Sequence, residues 1–380
     1  MHNNASVIRF KDIHPIYRLS DTIFRIGAQI DVTQEFDDHH RYLWRLIHLL
    51  DGRNVGEVVH EMLSEFPDLE RDDVIDGINL LDSFGFVETP PSFEHPEAPA
   101  RLGPTANYLR TFSGIGSPVS IFVDGLRRSH ITVLGLGGGG STIVQLLAGL
   151  GPASLTIADL DTVDESNLGR QLLFGEHDIG RPKTAAARDR LNQLNSSLEV
   201  RAIDARMDSA SDIVQVAKGT DLIICAMDEP PFIAQRRASR APVALGIPCS
   251  FVLSQLSHGR VLSIAPGMTG CLDCLHEYGK DADDDYLSQL SSLFSSNDSP
   301  PSIAYGPAIY QLCAFVVDEA VRFLTGYAPP RTLGRQYEID YTAGSSWAHE
   351  PWPPYEDACP ACASPEKATQ LSNIEEDFLR

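Results

Sequence analysis

The chain has 380 residues, of which 43% are hydrophobic and 22% are charged, as expected for a soluble globular protein with one large and one small domain. No apolar run approaches the length of about 18 residues that crosses a membrane, and the first ten residues lack the apolar segment of a signal peptide, so we expect a cytoplasmic protein. A formal net charge of −22 argues against nucleic acid or a membrane as a partner, because binding to either depends on Lys and Arg.

Residues 1–88 are expected to form a small separate domain. Two short strand-like runs, Tyr17–Leu19 and Ile23–Ile30, are followed by three helical patterns and the strand-like sequence FGFVE. The helices are predicted at Phe36–Leu50, Val55–Phe66 and Arg71–Ser83. This order of strands and helices is typical of a winged-helix fold.

Winged helices often bind DNA, but this domain has the wrong charge for that partner. Residues 14–88 contain six Arg, no Lys and sixteen Asp or Glu. A segment with this excess of negative charge repels a phosphate backbone. A basic peptide would fit this charge better, and a structural or dimerising role is the alternative.

Residues 89–105, TPPSFEHPEAPARLGPT, are predicted to be a Pro-rich linker. The segment contains five prolines and few large apolar residues, a composition that favours a stiff, extended chain. Such a linker would set the distance between a peptide held by the first domain and a reaction in the second.

Residues 106–380 are predicted to form an α/β domain with a doubly wound, mostly parallel sheet, because helical and strand patterns alternate along them. The alternation starts with an apolar run at Ile131, a glycine turn, a helical pattern to Leu150 and a strand, Leu155–Ala158. The turn is formed by Gly135, Gly137, Gly138, Gly139 and Gly140. A glycine turn at a helix N-terminus presents backbone N–H groups to phosphate, so we expect a nucleotide there. The turn by itself would equally fit an NAD dehydrogenase.

The polar residues that follow favour ATP over NAD. They are Asp159 at the end of the second strand, Asp161, Asn167, Arg170 and Gln171 in DLDTVDESNLGRQ, Lys183 in GRPK, and Asp228 after a later apolar run. Two cations and several carboxylates beside a phosphate turn suit ATP with a divalent metal, because the cations neutralise charge that develops on the phosphates. Each residue taken alone would also fit a solvated loop position.

The alternation of helices and strands continues through the second domain. Helices are predicted at Lys183–Leu194 and Asp212–Ala217, and strands at Leu198–Ile203, Asp221–Cys225, Ala241–Gly246 and Gly259–Ile264. Residues 276–305 form a long polar stretch that we expect to be a lid over the reacting peptide, with Tyr286, Leu287 and Leu290 as its apolar contacts, or a disordered loop.

Four of the seven cysteines form two CxxC pairs, Cys271 with Cys274 and Cys359 with Cys362. Two such pairs provide four thiolates for one zinc ion, and in a cytoplasmic chain they favour metal over a disulfide. With four sulfur ligands the ion has no open coordination position, so we expect a structural Zn²⁺ site.

The other three cysteines are Cys225, Cys249 and Cys313. Cys225 ends a predicted buried strand and Cys313 lies in an apolar helical pattern, so both are interpreted as core residues. Cys249 follows Pro248 near a strand end and stays a candidate reactive thiol.

These motifs together resemble the adenylating superfamily that includes ThiF, MoeB and the ubiquitin-activating enzymes. The resemblance covers about Tyr108–Cys362. It implies that Asp159 holds the ribose hydroxyls and that Asp228 supports Mg²⁺. It also implies that phosphates are held or polarised by Asn167, Arg170, Gln171 and Lys183.

The resemblance further implies a homodimer. Members of this superfamily send an arginine from the segment before the first strand into the partner subunit's site, and Arg110 in YLRTF is at about the right position.

The first domain resembles the peptide-recognition domain of ribosomal peptide natural-product pathways, in which the leader of a precursor peptide adds a strand beside a hairpin and packs against a helix. With both domains, the chain looks most like the maturation enzymes of microcin C and pantocin A type, which belong to antibiotic biosynthesis. The resemblance implies transfer of AMP from ATP to a peptide carboxylate. The alternatives are adenylation of a sulfur-carrier protein and a non-catalytic leader-binding partner of an azole-forming cyclodehydratase.

Overall fold

The computed structural model describes residues 4–28, 33–91, 98–229, 233–295, 303–355 and 358–371. The chain divides into two compact units, Met1–Gly125 and Leu126–Arg380. Residues 106–125 therefore group with the first unit, whereas the sequence pattern places them in the second domain. No helix in the described part of the chain is long and apolar enough to span a membrane.

The first unit consists of short strands and helices. Its strands are β1 (Val7–Phe10), β2 (Ile16–Arg18), β3 (Ile23–Ile26), β4 (Gln34–Asp37), β5 (Asp51–Asn54) and β6 (Val87–Glu88). Its helices are α1 (Tyr42–Leu49), α2 (Val55–Glu65), α3 (Arg71–Ser83), α4 (Gly103–Leu109) and α5 (Val119–Arg127), the last of which crosses the boundary between the units. The strands form two antiparallel sheets, β5-β1-β6 and β2-β3-β4.

The start of the first helix differs from its prediction. Phe36 lies in β4, where its ring stacks on Phe24 at 5.2 Å between centroids, and the helix begins only at Tyr42. The carboxylate of Asp38 marks this start because it accepts hydrogen bonds from the backbone N–H groups of Leu43 and Trp44. The apolar side chain of Phe36 therefore packs in the sheet and does not belong to the helix. The predicted strand at residues 23–30 ends at 26, and its last two residues lie outside the described residues.

The end of the predicted linker is helical. Residues 100–102 form a short 3₁₀ helix and α4 follows from Gly103, whereas the sequence composition predicted an extended chain to Thr105. Pro104 occupies the first turn of α4, a position where proline favours a helix because its missing N–H group has no partner to lose. Residues 92–97 of the linker lie outside the described residues.

The second unit contains a mixed sheet covered by helices. Its strands are β7 (His130–Leu134), β8 (Ser154–Asp159), β9 (Glu199–Asp204), β10 (Leu222–Cys225), β11 (Cys249–Gln255), β12 (His258–Ile264), β13 (Gln336–Asp340) and β14 (Ser345–Ala348). Its helices are α6 (Gly138–Leu150), α7 (Lys183–Leu194), α8 (Ala210–Val216), α9 (Ile233–Leu245), α10 (Leu272–Ala282), α11 (Tyr286–Ser295) and α12 (Gly306–Thr325).

Among the described residues the strand order is β14-β13-β12-β11-β10-β7-β8-β9. The strands from β11 to β9 in this order pair in parallel, and β12, β13 and β14 extend the sheet by antiparallel pairing. Alternate residues of β10 contribute to two separate hydrophobic cores, one on each face of the sheet. The predicted doubly wound, mostly parallel α/β fold is confirmed.

The predicted strand at Ala241–Gly246 is wrong. Residues up to 245 lie in α9, because Ala234, Ala238 and Ala241 are spaced for one helical face and are buried. The strand at this place is instead β11, which begins at Cys249.

The predicted lid is helical where it is described. Residues 276–282 complete α10 and α11 follows from Tyr286, while residues 296–302 lie outside the described residues. Leu290 of α11 is 6% exposed and packs with Ile233 and Tyr286 within the chain, and contact of the predicted lid with a peptide stays a prediction.

Candidate nucleotide-binding site

The glycine turn joins β7 to α6, and close packing requires glycine at two of its positions. Gly135 has a φ of +86°, in the left-handed region that side chains disfavour. A Cβ atom on Gly140 would lie 1.8 Å from the Gly135 carbonyl oxygen. Around a Cβ atom placed on Gly137, the residue that caps α6, no described atom lies within 4 Å. The turn is therefore tight on its protein side and open at the N-terminus of α6.

We expect Gly140→Ala to abolish nucleotide binding, because relief of the contact with the Gly135 carbonyl must open the turn and move the N–H groups that would face phosphate. Isothermal titration with ATP would measure the loss. Gly149→Ala, in the same helix with no described atom within 4 Å of the added Cβ atom, is the matched control and should bind normally. Equal ATP affinity of the two variants would contradict the prediction.

Asp159 ends β8 beside this turn. Its carboxylate accepts hydrogen bonds from the backbone N–H of Leu136 at 2.5 Å and of Asp161 at 2.7 Å. Burial raises the pKa of Asp159, and the positive charge of Lys183 opposes this shift. The turn itself therefore orients the carboxylate that the resemblance assigns to ribose.

Lys183 and Asp161 form an ion pair at the same edge of the sheet. The Lys183 Nζ atom lies 2.7 Å from an Asp161 carboxylate oxygen, and the Lys183 backbone N–H donates to the Asp161 carbonyl at 2.9 Å. The lysine side chain is 6% exposed, whereas that of Asp161 is 68% exposed. The amine of Lys183 is thus held at a buried position at the N-terminus of α7.

Arg170 lies over the first turn of α6. Its Nη1 atom donates to the Ser166 carbonyl at 2.9 Å, and its Cδ atom lies 3.5 Å from the position of a Cβ atom on Gly138. Asp228 follows β10, and the charge of Arg170 counteracts the rise that partial burial causes in the pKa of Asp228. The structure therefore gathers this arginine, this carboxylate and the glycine turn at one edge of the sheet.

Two amide side chains complete the predicted set. The Asn167 side-chain oxygen accepts from the Asp164 backbone N–H at 3.0 Å, so it stabilises the local turn. Gln171 is 1% exposed, and its Oε1 atom has no hydrogen-bond partner within the described residues. A buried polar atom without a partner is costly, and a bound ligand or water would satisfy it.

Arg110 is the predicted site residue that belongs to the first unit. Its guanidinium contacts Glu88 at 2.8 Å and Asp12 at 2.7 Å, and its side chain is 9% exposed. Glu88 is fully buried and also contacts Arg9 at 2.9 Å. The arginine therefore compensates a buried carboxylate in its own chain, and its contribution to a partner's site stays a prediction.

The four CxxC cysteines come together in the second unit. Their sulfur atoms all lie within 4.8 Å of one another, with Cys271 to Cys359 at 3.5 Å and Cys274 to Cys362 at 3.6 Å. Tetrahedral zinc with Zn–S bonds of about 2.3 Å places its sulfur ligands about 3.8 Å apart. The cluster could therefore hold a metal ion, and its donor set fits Zn²⁺.

The remaining cysteines are core residues. Cys225, Cys249 and Cys313 are fully buried. Burial raises the pKa of Cys225 and Cys313 to about 12 and raises that of Cys249 well above its ordinary value. A nucleophile needs a thiolate and access, so the structure gives no support to a reactive Cys249.

A cavity of about 420 Å³ on the β11–β12 hairpin was not predicted from the sequence. Its lining is formed by Leu253, Gln255, Leu256, Ser257, His258, Arg260 and Glu338. β11 pairs with the end of β10 at Phe251 and continues to Gln255, past the carboxyl end of its parallel neighbour. Val252, the residue before Leu253, lies 3.9 Å from a Cβ atom placed on Gly139, and its side chain is on the opposite face of the sheet from that of Leu253. No sequence motif indicates this cavity, because Arg260 and Glu338 are brought together only by the pairing of β12 with β13.

A family model described as the ThiF family matches residues 110–361. The chain belongs to the ThiF family. Within this family it is 29% identical over 246 residues to the sulfur carrier protein ThiS adenylyltransferase of Bacillus subtilis, covering 63% of this chain and 66% of that protein. The chain spans 54–66% of the length of the first curated relatives that it matches.

Solved structures with this ThiF-family fold extend over nearly the whole chain. Escherichia coli MccB with ATP superposes with a TM-score of 0.74 at 18% identity, covering 94% of this chain and 99% of that one. The same protein has been solved with N-formylated MccA and is described there as a microcin C7 biosynthetic enzyme. PaaA superposes with a TM-score of 0.68 at 18% identity, covering 90% of this chain and 99% of that one. At this identity the likeness establishes the fold.

Proposed function

We propose that this ThiF-family protein is a Mg²⁺-dependent adenylyltransferase that transfers AMP from ATP to a carboxylate of a ribosomally made precursor peptide. The observation that carries the proposal is the set of charged side chains, Asp159, Arg170, Lys183 and Asp228, at one sheet edge beside an open glycine turn. We further propose that it works in the cytoplasm as a homodimer with one structural Zn²⁺ per chain.

The reaction joins two anions, so charge neutralisation is the main task of the protein. A carboxylate oxygen of the peptide attacks the α-phosphorus of ATP, the bond to the β-phosphate oxygen breaks, and pyrophosphate leaves. Lys183 and Arg170 would neutralise charge on the phosphates, and Asp228 would hold Mg²⁺. Asp159 would accept hydrogen bonds from the ribose hydroxyls, and the N–H groups at Gly137 and Gly138 would face phosphate.

Features of the first unit support capture of a peptide leader. Strand β4 is an edge strand of the described β2-β3-β4 sheet, and its Phe36 ring contacts Phe84 just after α3 at 5.8 Å. Phe84 and Leu80 are each 42% exposed. An edge strand beside exposed apolar side chains fits strand addition, in which backbone hydrogen bonds give affinity and side-chain pockets give specificity.

The cavity on the β11–β12 hairpin is our candidate for the reacting end of the peptide. It belongs to the same unit as the phosphate turn, and it lies on the part of β11 that extends past the carboxyl end of β10, the strand that Asp228 follows. Arg260 and His258 can donate hydrogen bonds to a peptide end there, while Leu253 and Leu256 offer apolar contact.

Adenylation of a sulfur-carrier protein is the second candidate, favoured by the name of the B. subtilis relative. The two functions share the ATP chemistry and differ in the acceptor. A scaffold without catalysis is a weaker alternative, because all the predicted ATP-binding side chains are present.

The deciding experiment measures pyrophosphate release from Mg-ATP in the presence of short peptides encoded beside this gene, with mass spectrometry of each peptide. Release that depends on one peptide, with a matching gain of AMP or loss of water, supports the proposal. Release that depends only on a sulfur-carrier protein favours the second candidate. Peptide binding without any ATP turnover would identify a scaffold.

Arg110→Ala should abolish AMP transfer if the arginine serves the partner's site. The same change removes a cation from the buried Glu88 and should lower the free energy of unfolding by about 3 kcal/mol. Mixing Arg110→Ala chains with Lys183→Ala chains separates the two effects, because a mixed dimer contains one intact site. We expect the mixture to regain pyrophosphate release, and a mixture as inactive as its components would remove the donated arginine from the mechanism.

A further inference from the structure

A fully buried carboxylate, Glu88 of β6, holds one edge of the Arg110 guanidinium. Glu88 Oε1 accepts a hydrogen bond from Nε of Arg110 at 3.0 Å and lies 2.8 Å from its Nη2 atom, which Asp12 contacts at 2.7 Å. Nη1, at the other end of the guanidinium, makes a long hydrogen bond of 3.4 Å to the side-chain oxygen of Asn107. Nη1 carries two N–H groups, so it is the end of the side chain that can take a further acceptor.

The backbone that follows Arg110 is held by the same part of the first unit. Nζ of the fully buried Lys11, directly after β1, donates to the Ser113 carbonyl at 2.7 Å. The Ser113 hydroxyl donates to the second carboxylate oxygen of Glu88 at 2.9 Å. Lys11 and Glu88 therefore clamp both the side chain of Arg110 and the turn that follows it.

Stability alone gives no strong reason for charged groups at this buried position. Removing ions from water is costly, and a buried ion pair is often no more stable than apolar side chains that fill the same volume. A buried ion network does fix the direction of each charged group, because each donor must match a carboxylate oxygen. In this network the group with a free end is the guanidinium of Arg110.

We propose that Glu88 and Lys11 are positioning residues for Arg110, which they hold so that Nη1 can donate to a phosphate oxygen of ATP in the partner subunit's site. The inference rests on the proposed function, in which each chain of a homodimer contributes this arginine to the other. Neither Glu88 nor Lys11 contacts ATP in this role. A change at either residue should therefore affect AMP transfer only through Arg110.

Mixed dimers test this role, because each site would combine Lys183 of one chain with Arg110 of the other. We expect Glu88→Gln to lower peptide-dependent pyrophosphate release about 100-fold, the effect that a displacement of about 1 Å can have on a catalytic group. Co-expression of Glu88→Gln chains with Lys183→Ala chains should restore about a quarter of the wild-type rate, because half of the dimers are mixed and each contains one intact site. Co-expression with Arg110→Ala chains should restore nothing, because every site then lacks a well-placed arginine.

Arg9→Gln is the matched control for Glu88→Gln. Arg9 contacts the same carboxylate oxygen of Glu88 at 2.9 Å, from a side chain that is 25% exposed. Its loss removes an ion pair of Glu88 and no contact of Arg110, so pyrophosphate release should stay near the wild-type rate. Equal losses of release in Arg9→Gln and Glu88→Gln would show that the carboxylate serves the fold and would overturn the inference.

Lys11→Met provides a second variant, which removes the buried charge and keeps a side chain of similar volume. It frees the Ser113 carbonyl but leaves the contacts between Glu88 and Arg110, so we expect a smaller fall in pyrophosphate release, about tenfold. Its activity should recover with Lys183→Ala chains and stay low with Arg110→Ala chains. If Glu88→Gln does not fold, this pattern decides, and equal failure of both combinations overturns the inference.

The outcomes separate this inference from the function on which it rests. Wild-type protein that releases no pyrophosphate with any peptide would remove the proposed function. An active wild type with an inactive mixture of Arg110→Ala and Lys183→Ala chains would remove the donated arginine. If that mixture is active, two results overturn the inference alone: wild-type release by Glu88→Gln, or no recovery when Glu88→Gln is combined with Lys183→Ala. Binding of a labelled leader peptide should be unchanged in Glu88→Gln, and its loss would indicate a damaged first unit in place of a misplaced arginine.

Discussion

Replacing Lys183 by alanine is expected to lower the rate of AMP transfer by a factor of roughly 100 to 1000. The amine is buried, is oriented by its 2.7 Å contact with Asp161, and adjoins the carboxylate that would hold ribose. Loss of one preorganised donor to a developing anion typically costs a factor of this size, because water cannot replace it in a closed site. Peptide-dependent exchange of pyrophosphate into ATP would measure the effect.

The control for this variant is Lys218→Ala, which removes an exposed lysine of the same unit. It should exchange pyrophosphate at the wild-type rate. Binding of a labelled leader peptide should be the same in both variants, because we propose that the first unit captures the leader. Full turnover by Lys183→Ala would exclude this lysine from the chemistry.

Replacing Cys359 by serine is expected to cost the protein both its zinc and much of its stability. The four sulfur atoms belong to two segments far apart in the sequence, so the ion would join residues near 271 to residues near 359. Zinc binding in small zinc domains contributes about 10–16 kcal/mol, and even a fraction of that is comparable to the whole stability of a domain. Calorimetry should show a lower Tm for the second unit, and elemental analysis should show less than one zinc per chain.

Cys225→Ala is the matched change at a cysteine outside the cluster. It removes a buried sulfur, so some stability is lost, but one zinc per chain should remain. A Cys359→Ser protein that kept a full equivalent of zinc would contradict the four-thiolate site.

The parts of the fold that sequence predicted well have local causes. Helix α3 begins and ends at the predicted residues, and Glu70 and Asp73 form a capping box at its start. Helix α7 also begins and ends at its predicted residues, directly after Pro182. The glycine turn could also be predicted from nearby residues, because the strand, the tight turn and the helix N-terminus follow one another within a short stretch of sequence.

The parts that sequence could not predict depend on distant partners. Strand β14 is exposed along its length and shows no alternation of apolar and polar residues, whereas β13 does alternate them and offered a signal that the sequence analysis did not use. The cavity on the β11–β12 hairpin needs Arg260 to pair with Glu338, and the buried ion pairs of Arg236 and Arg240 need α9 to meet Asp273 of α10. Each involves residues separated by dozens of positions, so neither spacing nor composition indicates them.

Strand β11 has two parts in which substitutions would have different consequences. The part of the strand paired with β10 is held by buried neighbours, whereas the hairpin beyond it, from Leu253 to Arg260, is joined to the rest of the sheet through the pairing of its β12 arm with β13, and its turn at Leu256 and Ser257 is exposed. A lineage could exchange the hairpin's side chains and so acquire a new acceptor while the ATP-handling residues stayed intact. This hairpin would then be the place where one activation chemistry is adapted to new products.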